Sequence, residues 1–321
     1  MKRILVTGAA GQVGTELVPA LRTIYGAAQV LATDLKPARD AVSEGPFHQL
    51  DCLDAAALGA VLRQHRPDTI FHLAALLSAT AENHPQHAYQ VNMGSLLNVL
   101  EATRELGCAL FTPSSIGAFG PGTPRDPAPQ DTMQRPTTMY GVTKVAGELL
   151  CDYYHARYGV DTRGLRYPGL ISHVTPPGGG TTDYAVEIFY AAIEEGRYTC
   201  FLRADTQLDM MYMPDAIRAA LELMEADASR LKHRNAFNVT AMQLTPSSLA
   251  ARIRDHVPDF QIEYRVDTLR QNIADSWPRR LDDSAARAEW GWRAHYDDQG
   301  MVQDMLLQLR QKHLPGAKRV S

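Results

Sequence analysis

The feature that most constrains the fold stands at the start of the chain. The apolar run Ile4-Leu5-Val6 passes through Thr7 into Gly8-Ala9-Ala10-Gly11-Gln12-Val13-Gly14, after which Leu17, Val18 and Leu21 follow Val13 at helical spacing. A buried strand, a glycine turn and an amphipathic helix in succession form the opening half of a β-α-β unit. Gly8, Gly11 and Gly14 allow a tight bend, a close backbone approach to a pyrophosphate and close packing of helix on strand. The helix start, with Gln12 and Val13, then aims amides at the phosphates. Three glycines can be no more than a turn, and it is the flanking strand and helix that favour dinucleotide binding.

Further apolar runs repeat the pattern at Val30-Leu31-Ala32-Thr33, Thr69-Ile70-Phe71-His72-Leu73 and Ala109-Leu110-Phe111, each after a helical stretch. Alternation of this kind predicts an α/β fold, a Rossmann doubly wound parallel sheet. Beyond about residue 165 the pattern changes to Thr175-Pro176-Pro177-Gly178-Gly179-Gly180 and then to short mixed elements ending in an amphipathic helix. We therefore expect residues 1–165 to form the nucleotide-binding domain, with some later segments returning to it, and residues 166–321 to form mainly a smaller α/β substrate-binding lobe. Apolar helices around Val91 to Leu100 and Glu148 to Tyr154 suit either a homodimer seam or an internal contact, and periodicity leaves both open.

Composition narrows the function classes. With 321 residues and 45% hydrophobic content the chain can bury a large core. Its net charge of -4 is spread out apart from Lys318-Arg319, which argues against a nucleic-acid partner. Cys52, Cys108, Cys151 and Cys200 are scattered, and His84 and His87 beside Pro85 read as a solvated loop, so neither disulfide nor metal is expected. No segment reaches the length of a membrane span, and Met1-Lys2-Arg3 runs straight into a strand. A cytoplasmic enzyme with no membrane partner is the expectation.

Asp34 closes the second strand, where a carboxylate can accept hydrogen bonds from a ribose diol and repel a 2'-phosphate, selecting NAD over NADP. Asp51 and Cys52 are placed to meet the adenine in such a fold, or are plain loop residues. Tyr140 and Lys144 are four apart and share a helix face. A cation beside a phenol favours the phenolate, which can take a proton from a substrate alcohol as hydride leaves carbon. Upstream, Phe111-Thr112-Pro113-Ser114-Ser115 is an apolar strand breaking into two hydroxyls, where a doubly wound sheet presents ligand groups and a serine can donate to the reacting oxygen.

Taken in order, Gly8-x-x-Gly11-x-x-Gly14, Asp34, His72-Leu73-Ala74-Ala75, Asn92, Ser114-Ser115, Tyr140-x-x-x-Lys144 and Leu165-Arg166-Tyr167-Pro168 resemble the extended short-chain dehydrogenases, which include nucleotide-sugar epimerases, dehydratases and reductases. The resemblance implies NAD as cofactor. It further implies Leu73, Ala74 and Ala75 as a cofactor-lining strand end, Asn92 and Tyr167 beside the cofactor, and Tyr140, Lys144 and Ser115 as the catalytic trio, Tyr140 and Lys144 also meeting the cofactor, where Lys144 can hold the nicotinamide ribose.

Within that superfamily, Pro113 to Pro121, Gln134 to Gly141, Gly178 to Ala185 and Trp277-Pro278 look like the short-chain type of L-threonine 3-dehydrogenase. Sugar-nucleotide enzymes usually carry an asparagine after the Leu-Arg-Tyr run, where this chain has Pro168. The resemblance implies oxidation of the threonine β-hydroxyl to 2-amino-3-oxobutanoate and a metabolic link to a 2-amino-3-oxobutanoate CoA lyase. A small zwitterion needs polar partners in a closed site, and Ser78, Ser114, Ser115, Tyr140, Gly180, Thr181 and Thr182 are the candidates, the split between Ser114 and Ser115 being open. Thr182 also suits a helix cap. The rivals are a nucleotide-sugar 4-epimerase or dehydratase with tightly held NAD, and a non-catalytic NAD-sensing protein.

Overall fold

The computed structural model describes residues 1–38, 40–178 and 180–313. Gly179 and the Lys318-Arg319 pair lie outside them. The first apolar run forms β1 (Ile4–Thr7), and the glycine turn leads into α1 (Gly14–Tyr25), which buries Leu17, Val18 and Leu21. There follow β2 (Val30–Asp34), β3 (Phe47–Gln49), α2 (Ala55–His65), β4 (Thr69–His72), α3 (Ser78–Asn83), α4 (Pro85–Leu106), β5 (Ala109–Phe111), β6 (Ser114–Ser115), α5 (Met139–Tyr158) and β7 (Thr162–Arg163).

Six of these strands make one sheet in the order β3-β2-β1-β4-β5-β7, every neighbouring pair parallel. The strands are continuous apolar runs because helices cover both faces. On one side Leu58, Val61, Leu96, Val99, Leu100 and Cys151 pack against Leu5, Ile70 and Leu110. The chain reverses its winding between β1 and β4, and a doubly wound sheet opens its ligand crevice at the carboxyl ends of such strands. The Gly8 turn and the Leu73-Ala74-Ala75 segment both leave the sheet at this point.

The second half contains β8 (Leu165–Tyr167), β9 (Gly169–Ile171), α6 (Tyr184–Glu194), β10 (Arg197–Cys200), β11 (Leu208–Tyr212), α7 (Met213–Glu225), β12 (Phe237–Asn238), β13 (Met242–Leu244), α8 (Pro246–Arg254), β14 (Gln261–Tyr264), α9 (Thr268–Ser276), α10 (Ser284–Trp290) and α11 (Asp298–His313). Its strands, joined by β6 of the first half, form three small sheets, β12-β8-β6, β13-β11-β9 and the pair β10-β14. Met213, Ala216, Ala220 and Leu223 of α7, together with Trp292, pack on the α1 side of the large sheet against Val6, Phe71 and Phe111. A second core joins α6, α8 and α11 through Phe189, Leu249, Ile253, Met305 and Leu309. Met210, Met211, Tyr212 and Met213 are fully buried.

Two local expectations change. His84 and His87 do not form a solvated loop: Pro85 sits in the first turn of α4, where its missing N–H costs nothing, so His84 is the N-cap residue and His87 is helical. Thr182 is not a helix cap, since α6 starts at Tyr184 behind Asp183. The four cysteines are buried free thiols. Among the described residues no helix is long and apolar enough to cross a membrane.

Candidate active site

The crevice at the β1/β4 reversal opens into a cleft of about 190 Å³. It is lined by Gly8, Gly11, Gln12, Val13 and Gly14 of the glycine turn with Leu73 and Ala75, and by Ser78, Ser114, Ser115, Tyr140, Lys144, Tyr167, Gly180, Thr181 and Thr182. The backbone explains the glycine turn. Gly8 has φ of +69°, and a Cβ there would lie 2.5 Å from the Ala74 amide nitrogen. Loss of the side chain thus brings the two strand ends together at the crevice. No side chain caps the start of α1. An uncapped helix N-terminus over a glycine cradle fits a dinucleotide diphosphate.

Asp34 accepts hydrogen bonds from the Ala10 amide at 2.9 Å and the Lys36 amide at 2.9 Å, which fixes its carboxylate at the end of β2 beside the turn. Asp51 is exposed and accepts from the Leu53 amide at 2.9 Å. Cys52 is buried, and that burial pushes its thiol up to about 11, so it is no reactive thiolate. These three and Ala74 and Asn92 do not line this cleft.

α5 carries the central pair. The Thr138 side chain accepts from the Gly141 amide at 3.1 Å and starts the helix, leaving Tyr140 in the first turn and Lys144 one turn on. Gly141 is required by contact: a Cβ there would fall 2.3 Å from the Gly117 carbonyl oxygen, so the helix start lies directly on the Ile116–Ala118 turn. Lys144 Nζ donates to the Pro113 carbonyl at 2.7 Å and lies 5.4 Å from the centre of the Tyr140 ring. Asn92 braces the arrangement, accepting from the Leu76 amide at 2.8 Å and donating to Thr143 Oγ1 at 3.1 Å. It ties the end of β4 to α5 between the tyrosine and the lysine.

The two serines part company. Ser115 Oγ accepts from the Gly117 amide at 3.1 Å, which leaves its hydroxyl proton for an oxygen in the cleft. Ser114 borders the cleft and donates its hydroxyl to the Glu148 carboxylate. Glu148 also accepts from Gln134 Nε2 at 2.8 Å and from Arg166 Nη2 at 2.8 Å. Removing either member of this buried ion pair would strand the other charge, at a cost of about 3–5 kcal/mol. Tyr167 lines the cleft, and its hydroxyl donates to the Ala216 carbonyl at 2.7 Å.

Below the crevice, His72 meets Thr7 Oγ1 at 2.7 Å and Ser95 Oγ at 3.3 Å. Burial first, and then the Lys144 charge, push its imidazole down to about 3, so it is neutral and braces the two strand ends. On the substrate side Thr181 is fully buried, and its hydroxyl has no hydrogen-bond partner among the described residues. An orphaned hydroxyl beside a cleft costs about 1–3 kcal/mol and is a natural contact for a polar ligand. Trp277 also lines the cleft, a residue that no spacing argument could have placed there, although its Trp-Pro pair is part of the family resemblance.

Residues 4–240 match the NAD dependent epimerase/dehydratase family. A Staphylococcus saprophyticus protein described as an uncharacterized epimerase/dehydratase is 54% identical over 308 residues, covering 95% of this chain and 96% of that one. Among solved structures, L-threonine dehydrogenase from Clostridium difficile is similar with a TM-score of 0.96 and 54% identity, over 97% of this chain and 98% of that one. The holo form of a GalE-like L-threonine dehydrogenase from Cupriavidus necator is similar with a TM-score of 0.93 and 52% identity, over 96% and 99%.

Proposed function

The chain belongs to the NAD dependent epimerase/dehydratase family, and from that premise we propose that it is an NAD-dependent L-threonine 3-dehydrogenase. The observation that carries the reading is the agreement with L-threonine dehydrogenase structures along nearly the whole chain, at up to 54% identity. The grouping of Tyr140, Lys144 and Ser115 in one cleft supports the same chemistry.

NAD, when bound with its diphosphate at the start of α1 and its ribose diol at Asp34, supplies the hydride acceptor. The protein's own part is proton handling and positioning. Tyr140 removes the proton of the threonine β-hydroxyl, helped by the Lys144 cation beside its ring. Ser115 donates to the substrate oxygen and steadies the charge that develops there. Thr181, Thr182, Gly180 and Ser78, with Trp277, line the cleft where the amino acid would sit. The product is 2-amino-3-oxobutanoate.

Replacement of Tyr140 by Phe tests the assignment: turnover falls by at least a hundredfold while NAD affinity changes little. Retained turnover would remove Tyr140 from the mechanism. The reading includes a homodimer, supported by exposed apolar side chains on α4 (Tyr89, Leu97) and α5 (Val142, Leu149, Tyr153). It also includes a reducing, cytoplasmic setting, in keeping with four buried unpaired thiols.

A further inference from the structure

Glu148 lies one helical turn beyond Lys144 and two beyond Tyr140 on the same face of α5. It is 7% exposed, and both carboxylate oxygens are occupied. One accepts from Ser114 Oγ and from Arg166 Nε at 3.1 Å, the other from Arg166 Nη2 at 2.8 Å and Gln134 Nε2 at 2.8 Å. Arg166 is itself fixed by the Gln130 carbonyl at 2.8 Å and Asn238 Oδ1 at 3.2 Å, and its guanidinium carbon lies 5.1 Å from the centre of the Phe119 ring.

The partners of this carboxylate are neighbours of the reacting groups. Ser114 stands between Pro113, whose carbonyl holds Lys144, and Ser115, whose hydroxyl faces the cleft. Arg166 precedes Tyr167 and pairs with Ser114 across β6 and β8, as Tyr167 pairs with Ser115. One buried anion thus joins the helix that carries Tyr140 and Lys144 to β6, which carries Ser115 and directly follows Pro113. β6 has two residues and pairs with β8 alone, at the edge of its sheet.

We infer that Glu148 is a positioning residue for the reaction, clamping β6 to α5 through Ser114 so that Ser115 stays in register with Tyr140 and Lys144. The inference rests on the dehydrogenase reading for its kinetic consequence. It also makes Ser114 a member of the clamp rather than a substrate contact. A shift of about 1 Å between reacting groups can cost up to a hundredfold in rate, so loss of one clamp bond should lower kcat by roughly tenfold with KM for threonine unchanged.

The test compares wild type, Ser114→Ala, Glu148→Gln and the double variant by threonine-dependent NADH formation and by hydrogen exchange at the Gly117 amide. Ser114→Ala leaves the Glu148–Arg166 pair intact and keeps the test open if Glu148→Gln fails to fold. The expected result is a tenfold lower kcat, an unchanged KM and faster exchange at Gly117 in Ser114→Ala. Where Glu148→Gln folds, the double variant loses no more than Glu148→Gln alone, because Ser114 acts only through the same carboxylate. A raised KM at normal kcat would make Ser114 a substrate contact and overturn the inference, as would unchanged kinetics, unchanged exchange or losses that multiply. If the wild-type protein itself leaves threonine unreacted, the dehydrogenase reading fails, while Gly117 exchange still decides whether the clamp exists.

Discussion

Lys144 Nζ sits 5.4 Å from the centre of the Tyr140 ring and is held there by the Pro113 carbonyl at 2.7 Å. The cation is therefore anchored to the strand that carries Ser115, not free on the helix surface. Lys144→Met should reduce threonine oxidation by at least a hundredfold and weaken NAD binding as well, because both the phenol and the cofactor ribose lose their cation. Steady-state kinetics with an NAD titration checks this, and a variant with normal turnover would contradict it.

Two glycines of the N-terminal turn should fail in different ways. Gly8→Ala puts a side chain at φ of +69° and 2.5 Å from the Ala74 nitrogen, so it should destabilise the fold, by about 1–3 kcal/mol from backbone strain alone. At Gly11 an added Cβ meets only the Gly8 carbonyl oxygen, at 3.2 Å. Gly11→Ala should fold normally but bind NAD roughly tenfold more weakly, since the methyl occupies the diphosphate approach. Thermal unfolding and fluorescence titration separate the two.

His72 makes stability sensitive to acid. Its folded imidazole lies near 3, below the ordinary 6.5, because burial and then the Lys144 charge oppose protonation. A depressed folded value means that the unfolded chain binds the extra proton first. The contribution is complete above about 6.5 and is lost as pH falls from there towards 3. His72→Gln should flatten that part of the stability profile in urea unfolding between pH 7 and pH 4, relative to wild type. An equal slope in both proteins would place the acid sensitivity elsewhere.

The exposed apolar residues of α4 and α5 give a test of assembly. Leu149, 62% exposed on α5, would become buried in a pairing through these helices. Leu149→Arg should halve the apparent mass in light scattering without lowering the melting cooperativity. An unchanged mass would remove this face from any dimer interface.

Much of the fold was legible because a parallel sheet covered on both faces writes itself as short continuous apolar runs. Ile4-Leu5-Val6, Val30 to Thr33 and Ala109 to Phe111 are strands for that reason. The glycine turn and the Tyr140/Lys144 spacing were legible because each is a local pattern on one element. What depended on long-range contact was not. Nothing near Ser114 in the sequence shows that its hydroxyl turns to Glu148, and nothing near Trp277 shows that it reaches the cleft containing Tyr140. The His84-Pro85 pair reads as a loop, yet proline in a first helical turn suits a helix start equally well. The small sheets were hidden too, since strands such as Arg197–Cys200 and Gln261–Tyr264 are largely exposed and form no continuous apolar run.

The most direct measurement is the appearance of NADH when purified protein is mixed with NAD and L-threonine, with L-serine, L-allo-threonine and NADP as controls. The account predicts reduction of NAD by L-threonine, with NADP used poorly because Asp34 stands at the end of β2. Silence with threonine, together with NAD that stays bound through purification and turns over a nucleotide sugar without added cofactor, would contradict it.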